Sequence, residues 1–313
     1  PLVAAGMFAP TALAGLEPDA IANINGPSVL RMPDWAAGKQ AAFHMYFGHH
    51  KGKSLRLAYA DRLEGPWAIY PDPVIPLADS LFEPEDPAPD PTLATPEWVD
   101  ALGGEYLYAH VASPDVHIDC KNRRLVMYFH GLHDDFQYSF VATSTDGLTY
   151  TSQPTCLGPF YFRVFEHDGS HYALAKVRDN GTQLLHSPNG FETFTPGPTM
   201  LPDSRHTAVL KRGDQLDIFY TKGKACPEHI LGCTMSLKGD WQSWKPGKAT
   251  SILKPQTDYE GANEPMKPSS FGAVHGMVNQ LRDPCIYVED ENIYLIYSCA
   301  GETSLAIAQL TRI

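Results

Sequence analysis

A two-hairpin unit recurs five times along the chain, and no other feature restricts the fold so tightly. Its first half is an apolar strand, a short charged or glycine turn, and a second strand that ends in aromatic residues. This half is read in VLRMPDWAAGKQAAFHMYFGHH, DVHIDCKNRRLVMYFHG, RVFEHDGSHYALAKV, HTAVLKRGDQLDIFYTKG and DPCIYVEDENIYLIYSCAG. The reversals fall at Gly38-Lys39, Lys121-Asn122, Asp168-Gly169, Gly213-Asp214 and Asp290-Glu291, where a hairpin needs a tight turn. The second half is a further strand, a turn and the start of an aromatic strand: LRLAYADRLEGPW, FVATSTDGLTY, LLHSPNGFETF and GCTMSLKGDW. These segments end on Trp67, Tyr150, Phe194 and Trp241, each shortly after a turn glycine. A last copy, SLAIAQLTRI, stops before its aromatic strand.

Four strands per unit and five units predict an all-β, five-bladed β-propeller occupying residues 1–313 as one domain. A β-sandwich is the competing architecture, but nothing in a sandwich requires the same hairpins in the same order in every unit. The truncated last unit predicts how the ring closes: its missing outer strand has to come from the N-terminal segment, within residues 2–14. Composition agrees, since 15 Tyr, 14 Phe, 25 Gly and 27 Pro supply strand formers and turn formers while helix-forming runs are scarce. Two connections are long, at about 71–110 and 250–281; the first contains EPEDPAPDPTLATPEW and the second YEGANEPMKPSSFGAVHG. Loops of such length in a compact domain tend to be functional, and these are expected to wall a site where blades join.

The formal net charge of -12 argues against nucleic-acid partners and anionic membrane surfaces, both of which repel a protein of this sign. No run approaches the roughly 18 to 20 apolar residues that span a bilayer. The opening PLVAAGMFAPTALAGL lacks the basic flank of a signal peptide, and the reading leans to a secreted or periplasmic protein with its leader removed. Cys120, Cys156, Cys226, Cys233, Cys285 and Cys299 show no paired zinc spacing and leave the redox compartment open, although Cys226 and Cys233 are close enough in sequence to bridge a loop. Oligomeric state is not legible.

Propeller geometry turns the repeat into a site. The first strand of each blade is innermost, and its start shares a face with the end of the second strand. First-strand starts bring Asn25, Ser113 with Asp115, Arg163, His206, and Arg282 with Asp283 to the axis. Second-strand ends bring His49, His50, His130 with His133, Lys176 with Arg178, Lys222, and Ser298 with Glu302. Each has a plainer reading: Asp115 and Asp283 flank prolines and can cap turns, and a lone histidine is more often structural than catalytic. Taken together, the histidines with Arg163 and Arg282 suit a carboxylate, sulfate or phosphate group. No cofactor is required. Convergent His and Asp leave room for a divalent metal in the axial pocket, but no fixed ligand spacing marks one, and neighbours such as His49 and His50 point to opposite faces of a strand.

The blade rhythm, together with Arg282-Asp283-Pro284 before Cys285-Ile286-Tyr287 and with Ser113-Pro114-Asp115-Val116, resembles the five-bladed propeller glycoside hydrolases: arabinanases, β-xylosidases, and the invertase and levansucrase group. The resemblance implies a carbohydrate substrate and three axial carboxylates, usually Asp, Asp and Glu, acting as base or nucleophile, as acid, and as orienting group. The sequence departs from that set. Where such enzymes offer an Asp before Pro in the first blade stands Asn25-Gly26-Pro27, and where they offer a Glu-Gly-Pro motif in the third stands Phe160-Tyr161-Phe162-Arg163. Replacement acids lie in the long connection before the last blade, Glu260 and Glu264. The expected assignment is Asp283 as base, Glu260 as acid and Asp115 as orienting group, with separated pKa values dividing acid from base. Asn25, His49, His50, His130, Arg163, Lys222, Glu264, Arg282 and Glu302 would bind the sugar. Two further functions fit the residues. One is a lyase on uronate-containing chains with a His such as His206, or a Tyr, as base; the other is a propeller that holds a glycan without cleaving it.

Overall fold

The computed structural model of the chain describes residues 2–4, 11–12, 14–15, 23–50, 52–87, 107–134, 136–177, 181–274 and 276–312. Strands β1 (Leu2–Ala4) and β2 (Thr11–Ala12) precede the first full unit. The first blade is β3 (Asn25–Arg31), β4 (Phe43–Gly48), β5 (Ser54–Ala60) and β6 (Ala68–Ile69), with β7 (Ile75–Pro76) also on β5. The second blade is β8 (Val111–Asp119), β9 (Arg124–His133), β10 (Phe136–Ser144) and β11 (Thr151–Ser152). The third is β12 (Gly158–His167), β13 (Ser170–Val177), β14 (Gly181–Ser187) and β15 (Thr195–Met200). The fourth is β16 (Ser204–Arg212), β17 (Gln215–Lys222), β18 (Ile230–Ser236) and β19 (Thr250–Leu253). The fifth is β20 (Arg282–Glu289), β21 (Asn292–Cys299) and β22 (Ser304–Arg312), completed by β1.

Every pairing is antiparallel, and the second and third blades are stitched together where Tyr138 faces Pro159 and Ser139 faces Gly158. The tight reversals behave as the sequence requires. At Asp168-Gly169 both residues have positive φ, 48° and 76°, the conformation of the hairpin turn that follows the twist of its strands. The ring closes as the truncated last unit demands: Leu2 pairs with Arg312, Val3 with Thr311 and Ala4 with Leu310, so the N-terminal segment is the outer strand of the last blade.

Alternation along the strands sends one side chain set into each junction between blades, and the buried clusters follow the ring. Tyr46 and Leu57 meet Met127 and Phe129 between the first and second blades. Val141 meets Val164 and Ala173 between the second and third, and Leu174 meets Ile218 and Met235 between the third and fourth. Phe219 meets Leu295 and Tyr297 between the fourth and fifth, and Ile296 and Leu305 meet Met45 and Phe47 where the last blade returns to the first. The turn aromatics Trp67, Tyr150 and Phe194 are buried in these junctions, and Trp241 packs half-buried against one of them. Four strands in each of five blades, with an apolar seam at every junction, is a closed five-bladed propeller. All six cysteines are free, so Cys226 and Cys233 bridge nothing. Among the described residues, no helix is long and apolar enough to cross a membrane.

Candidate active site

Each innermost strand is bulged near its start, between Asn25 and Ser28, Ala112 and Asp115, Phe160 and Arg163, Ser204 and Thr207, and Arg282 and Cys285. A bulge re-aims a side chain that the pleat would have sent elsewhere. The first bulged residues are Gly26, Ser113, Tyr161, Arg205 and Asp283, and all except Arg205 have positive φ, 55°, 51°, 59° and 48°. Opposite the residue before each bulge, the second strand offers Gly48, His130, Lys176, Lys222 and Ser298.

A narrow cavity at the axis is lined from these positions by Tyr161, Lys176, Arg205, His206 and Asp283, together with Phe160, His50 and Gln137. Tyr108 and Gly272 reach it from the two long connections, which wall the site as expected; residues 88–106 of the first lie outside the described residues. The cavity is partly open to solvent and small, about 30 Å³.

Asp283 is 2% exposed and pairs with His206 Nδ1. Burial pushes its carboxyl up, but the His206 contact and the Arg205 guanidinium outweigh burial and hold it below the usual carboxylate range. Burial pushes His206 down against the pull of Asp283, so at neutral pH the pair is a carboxylate facing a neutral imidazole. The other imidazole nitrogen, Nε2, lies 3.2 Å from Ser113 Oγ. Tyr161 packs edge-on against the His206 ring at 3.8 Å between centroids.

Behind the cavity runs a buried charge ladder. Arg205 Nε pairs with Glu228 at 3.1 Å, Glu228 with Arg282 Nε at 3.3 Å, and Arg282 Nη1 with Glu302 at 3.0 Å. Glu302 also pairs with His50 and accepts from Asn23 at 3.0 Å and from Asn25 at 3.4 Å. Burial raises the Glu302 carboxyl, yet His50, Arg282 and Asn23 together drive it far below the usual range, so it stays ionised. Lys176 differs from these groups. It is 5% exposed, its Nζ lies 4.5 Å from the centre of the Phe271 ring, and among the described residues no carboxylate pairs with it. Burial, helped by the Arg205 charge, pushes its ammonium down to about 7.

The structure thus brings His50, His206 and Asp283 into the cavity, with Asn25, Arg282 and Glu302 packed behind them. The other expected residues stand elsewhere. Asp115, two residues past its bulge position, turns into the junction between the second and third blades, where it accepts from Val164 N at 2.7 Å and meets His117 at 2.9 Å. Arg163 lies beside it and donates to the Pro114 and Phe162 carbonyls. Glu260 is fully buried and caps a short 3-10 turn, Asp258–Glu260, accepting from Gln256 N, Thr257 N, Thr257 Oγ1 and, at 2.6 Å, Tyr297 Oη. With its oxygens occupied there, it cannot face Asp283 as the proton donor expected from the sequence. Glu264 is half-buried on the surface of the same connection, its carbonyl held by Asn279. His49 folds back to the His50 carbonyl at 3.0 Å, and Lys222 ends its strand outside the cavity lining. His130 is buried against Tyr161 and His110, and neither ring nitrogen has a hydrogen-bond partner among the described residues.

Sequence reading missed Arg205, Gln137, Tyr108, Gly272 and the clamped Glu228. One signal was available for Arg205: Asn-Gly-Pro-Ser, Ala-Ser-Pro-Asp, Phe-Tyr-Phe-Arg, Ser-Arg-His-Thr and Arg-Asp-Pro-Cys align as blocks whose second residue enters the bulge. As for metal, of the axial carboxylates Asp283 pairs with His206 and Glu302 with His50. Among the described residues the group with clustered ligand atoms is Glu83, His133 and Asp134, two of them exposed, away from this cavity.

The chain is 32% identical over 321 residues to the uncharacterized protein R118 of Acanthamoeba polyphaga mimivirus, covering 93% of this chain and 84% of that protein. It belongs to the family of that protein. No family model matches the chain. Among solved structures it is similar to a thermostable family-43 glycoside hydrolase, with a TM-score of 0.61 at 12% identity over 97% of this chain and 92% of the other. It is also similar to the GH43_1 enzyme from Xanthomonas citri, with a TM-score of 0.59 at 12% identity over 96% and 90%. An exo-beta-1,3-galactanase from Phanerochaete chrysosporium gives 0.59 at 13% identity over 92% of this chain and 60% of that one. The members of this set share the propeller fold of family-43 glycoside hydrolases.

Proposed function

We propose that the protein is a carbohydrate-active enzyme of the propeller glycoside hydrolase type, cleaving a glycan whose sugar carries an anionic group. One observation carries this reading: a buried, ionised Asp283 shares one axial cavity with a Lys176 ammonium that, among the described residues, no carboxylate pairs with. Asp283 is the general base. A carboxylate kept ionised by a neighbouring imidazole and guanidinium accepts a proton from an attacking water without first having to lose its own. Lys176, nine-tenths buried and lacking an anionic partner among the described residues, is the group that a sugar carboxylate or sulfate would neutralise. The fold likeness to family-43 glycoside hydrolases supports the substrate class.

A second reading, β-elimination on a uronate chain, is favoured by a specific feature. Glu228 and Glu302 are both clamped by guanidinium groups, so neither offers the second, protonated carboxyl of a two-carboxylate hydrolysis. Elimination lets one group, His206 or the Tyr161 packed against it, make both proton transfers while Lys176 neutralises the uronate.

A panel of neutral, uronate-containing and sulfated glycans separates these readings. Hydrolysis yields new reducing ends without unsaturated-uronate absorbance, elimination yields both, and a binding propeller yields neither. On the anionic substrate, kcat/KM should fall about tenfold per pH unit above about 7 as Lys176 loses its proton. Lys176→Met should abolish that limb, and an unchanged descending limb in the variant removes Lys176 from anion recognition.

A further inference from the structure

His50 lines the axial cavity together with Asp283, and neither reaction above gives it a task. It stands two residues past the end of β4 and is held from behind by residues distant in sequence. Its backbone N–H donates to Asn23 Oδ1 at 3.0 Å, and its Nδ1 pairs with Glu302. Among the described residues its other ring nitrogen, Nε2, has no hydrogen-bond partner. We infer that His50 is the proton donor to the departing sugar oxygen, oriented by Glu302 while Asp283 acts on water. The inference rests on the hydrolytic reading above and supplies the acid which that reading lacks.

The carboxylates leave this part unfilled. Glu228 and Glu302 each meet a guanidinium, Glu260 closes its own turn, and Asp115 is held in a blade junction. Of the other cavity groups, His206 is neutral beside Asp283, and Lys176 is the one that meets the sugar anion. His50 has what a donor needs. With Nδ1–H directed at Glu302, a protonated ring carries its second proton at Nε2, the nitrogen left without a partner. Glu302 can hold it because Glu302 itself keeps no proton: burial raises that carboxyl, but His50, Arg282 and Asn23 drive it far below the usual range. Asn25 fits the same arrangement. Its Nδ2 lies 3.1 Å from His50 Nδ1 and donates to Asn23 Oδ1 at 3.2 Å and to Glu302 at 3.4 Å, which leaves the Nδ1 proton to Glu302. An aspartate at position 25 would instead set a second carboxylate against Glu302.

The reaction balances with water and a glycoside alone. Asp283 takes a proton from water as the water oxygen adds to the anomeric carbon. The bond from that carbon to the bridging oxygen breaks with its electron pair on oxygen, and His50 Nε2 delivers the proton there. Asp283 ends protonated and His50 neutral, and one proton passing from the first to the second through solvent restores both.

The test compares leaving groups. Wild-type chain and His50→Gln are given the methyl and 2,4-dinitrophenyl glycosides of glucuronic acid, with those of xylose, arabinofuranose and galactose as a neutral set. A methoxy group cannot leave without a proton, whereas dinitrophenolate can. In His50→Gln, kcat/KM on the methyl glycoside should fall roughly 100-fold or more while the 2,4-dinitrophenyl glycoside of the same sugar stays within about threefold of wild type. Asp283→Asn should lower both. A residue needed only for folding or binding lowers both rates alike, so the ratio of the two decides even where part of the variant is unfolded. Equal losses on the two glycosides, no loss on either, or a wild-type chain that cleaves neither overturns His50 as the donor and leaves the hydrolytic reading to the glycan panel. A leaving-group-dependent loss found in Lys176→Met in place of His50→Gln overturns it too, and moves the donor to Lys176.

Discussion

Buried carboxylates in this chain separate by what holds them. Asp283 was legible because Arg-Asp-Pro places it at the start of an innermost strand, and the structure puts it in the cavity. Glu260 was read as a facing acid because it sits in the connection before the last blade. It accepts from Gln256 N, Thr257 N and Oγ1, and Tyr297 Oη, and so closes its own turn. Nothing in the spacing of a loop acid announces which donors it will collect. Glu260→Ala is therefore predicted to cost about 1–3 kcal/mol through the stranded donors, read as a lower thermal midpoint, while kcat stays at the wild-type value. A collapse of kcat with an unchanged midpoint would restore Glu260 to the chemistry. Glu228 escaped sequence reading for the converse reason: its partners Arg205 and Arg282 begin strands of two different blades and meet it only when the ring closes.

At the scale of elements, the repeat gave the strands, their order and the closure, because periodic hairpins leave few other ways to bury five apolar seams. It did not give the register at the axis. A single extra residue in each innermost strand shifts which side chain points inward. Reading those strands without bulges therefore counts Asp115 and Arg163 as facing the cavity, where the structure turns both into a blade junction and presents Tyr161 instead. Closure by the N-terminal strand makes a separate prediction. β1 supplies the outer pairing of β22 and the Ala14 carbonyl accepts from Trp67 N at 2.9 Å, so deleting residues 1–14 exposes an edge strand and frees a buried tryptophan's backbone. The thermal midpoint should drop by several degrees, and a midpoint identical to the full chain would contradict this closure.

Across the whole molecule, a formal charge of -12 surrounds an axis where Arg205, Arg282 and Lys176 stand among Glu228, Glu302 and Asp283. Long-range repulsion of anions and short-range recognition of one are compatible, because salt screens the first over about 8 Å at physiological ionic strength while a buried contact is screened far less. The propeller contributes rigidity: residues distant in sequence keep fixed places because every blade is wedged between two neighbours. The claim that the axis is a catalytic centre rests on Asp283. The most direct measurement is turnover of Asp283→Asn on whichever glycan of the panel the wild-type chain turns over fastest, with the thermal midpoint recorded on the same preparation. The account predicts a loss of roughly 100-fold or more in kcat with the fold retained, since the amide keeps the shape of the carboxylate and loses its basicity. Full turnover by Asp283→Asn would contradict it.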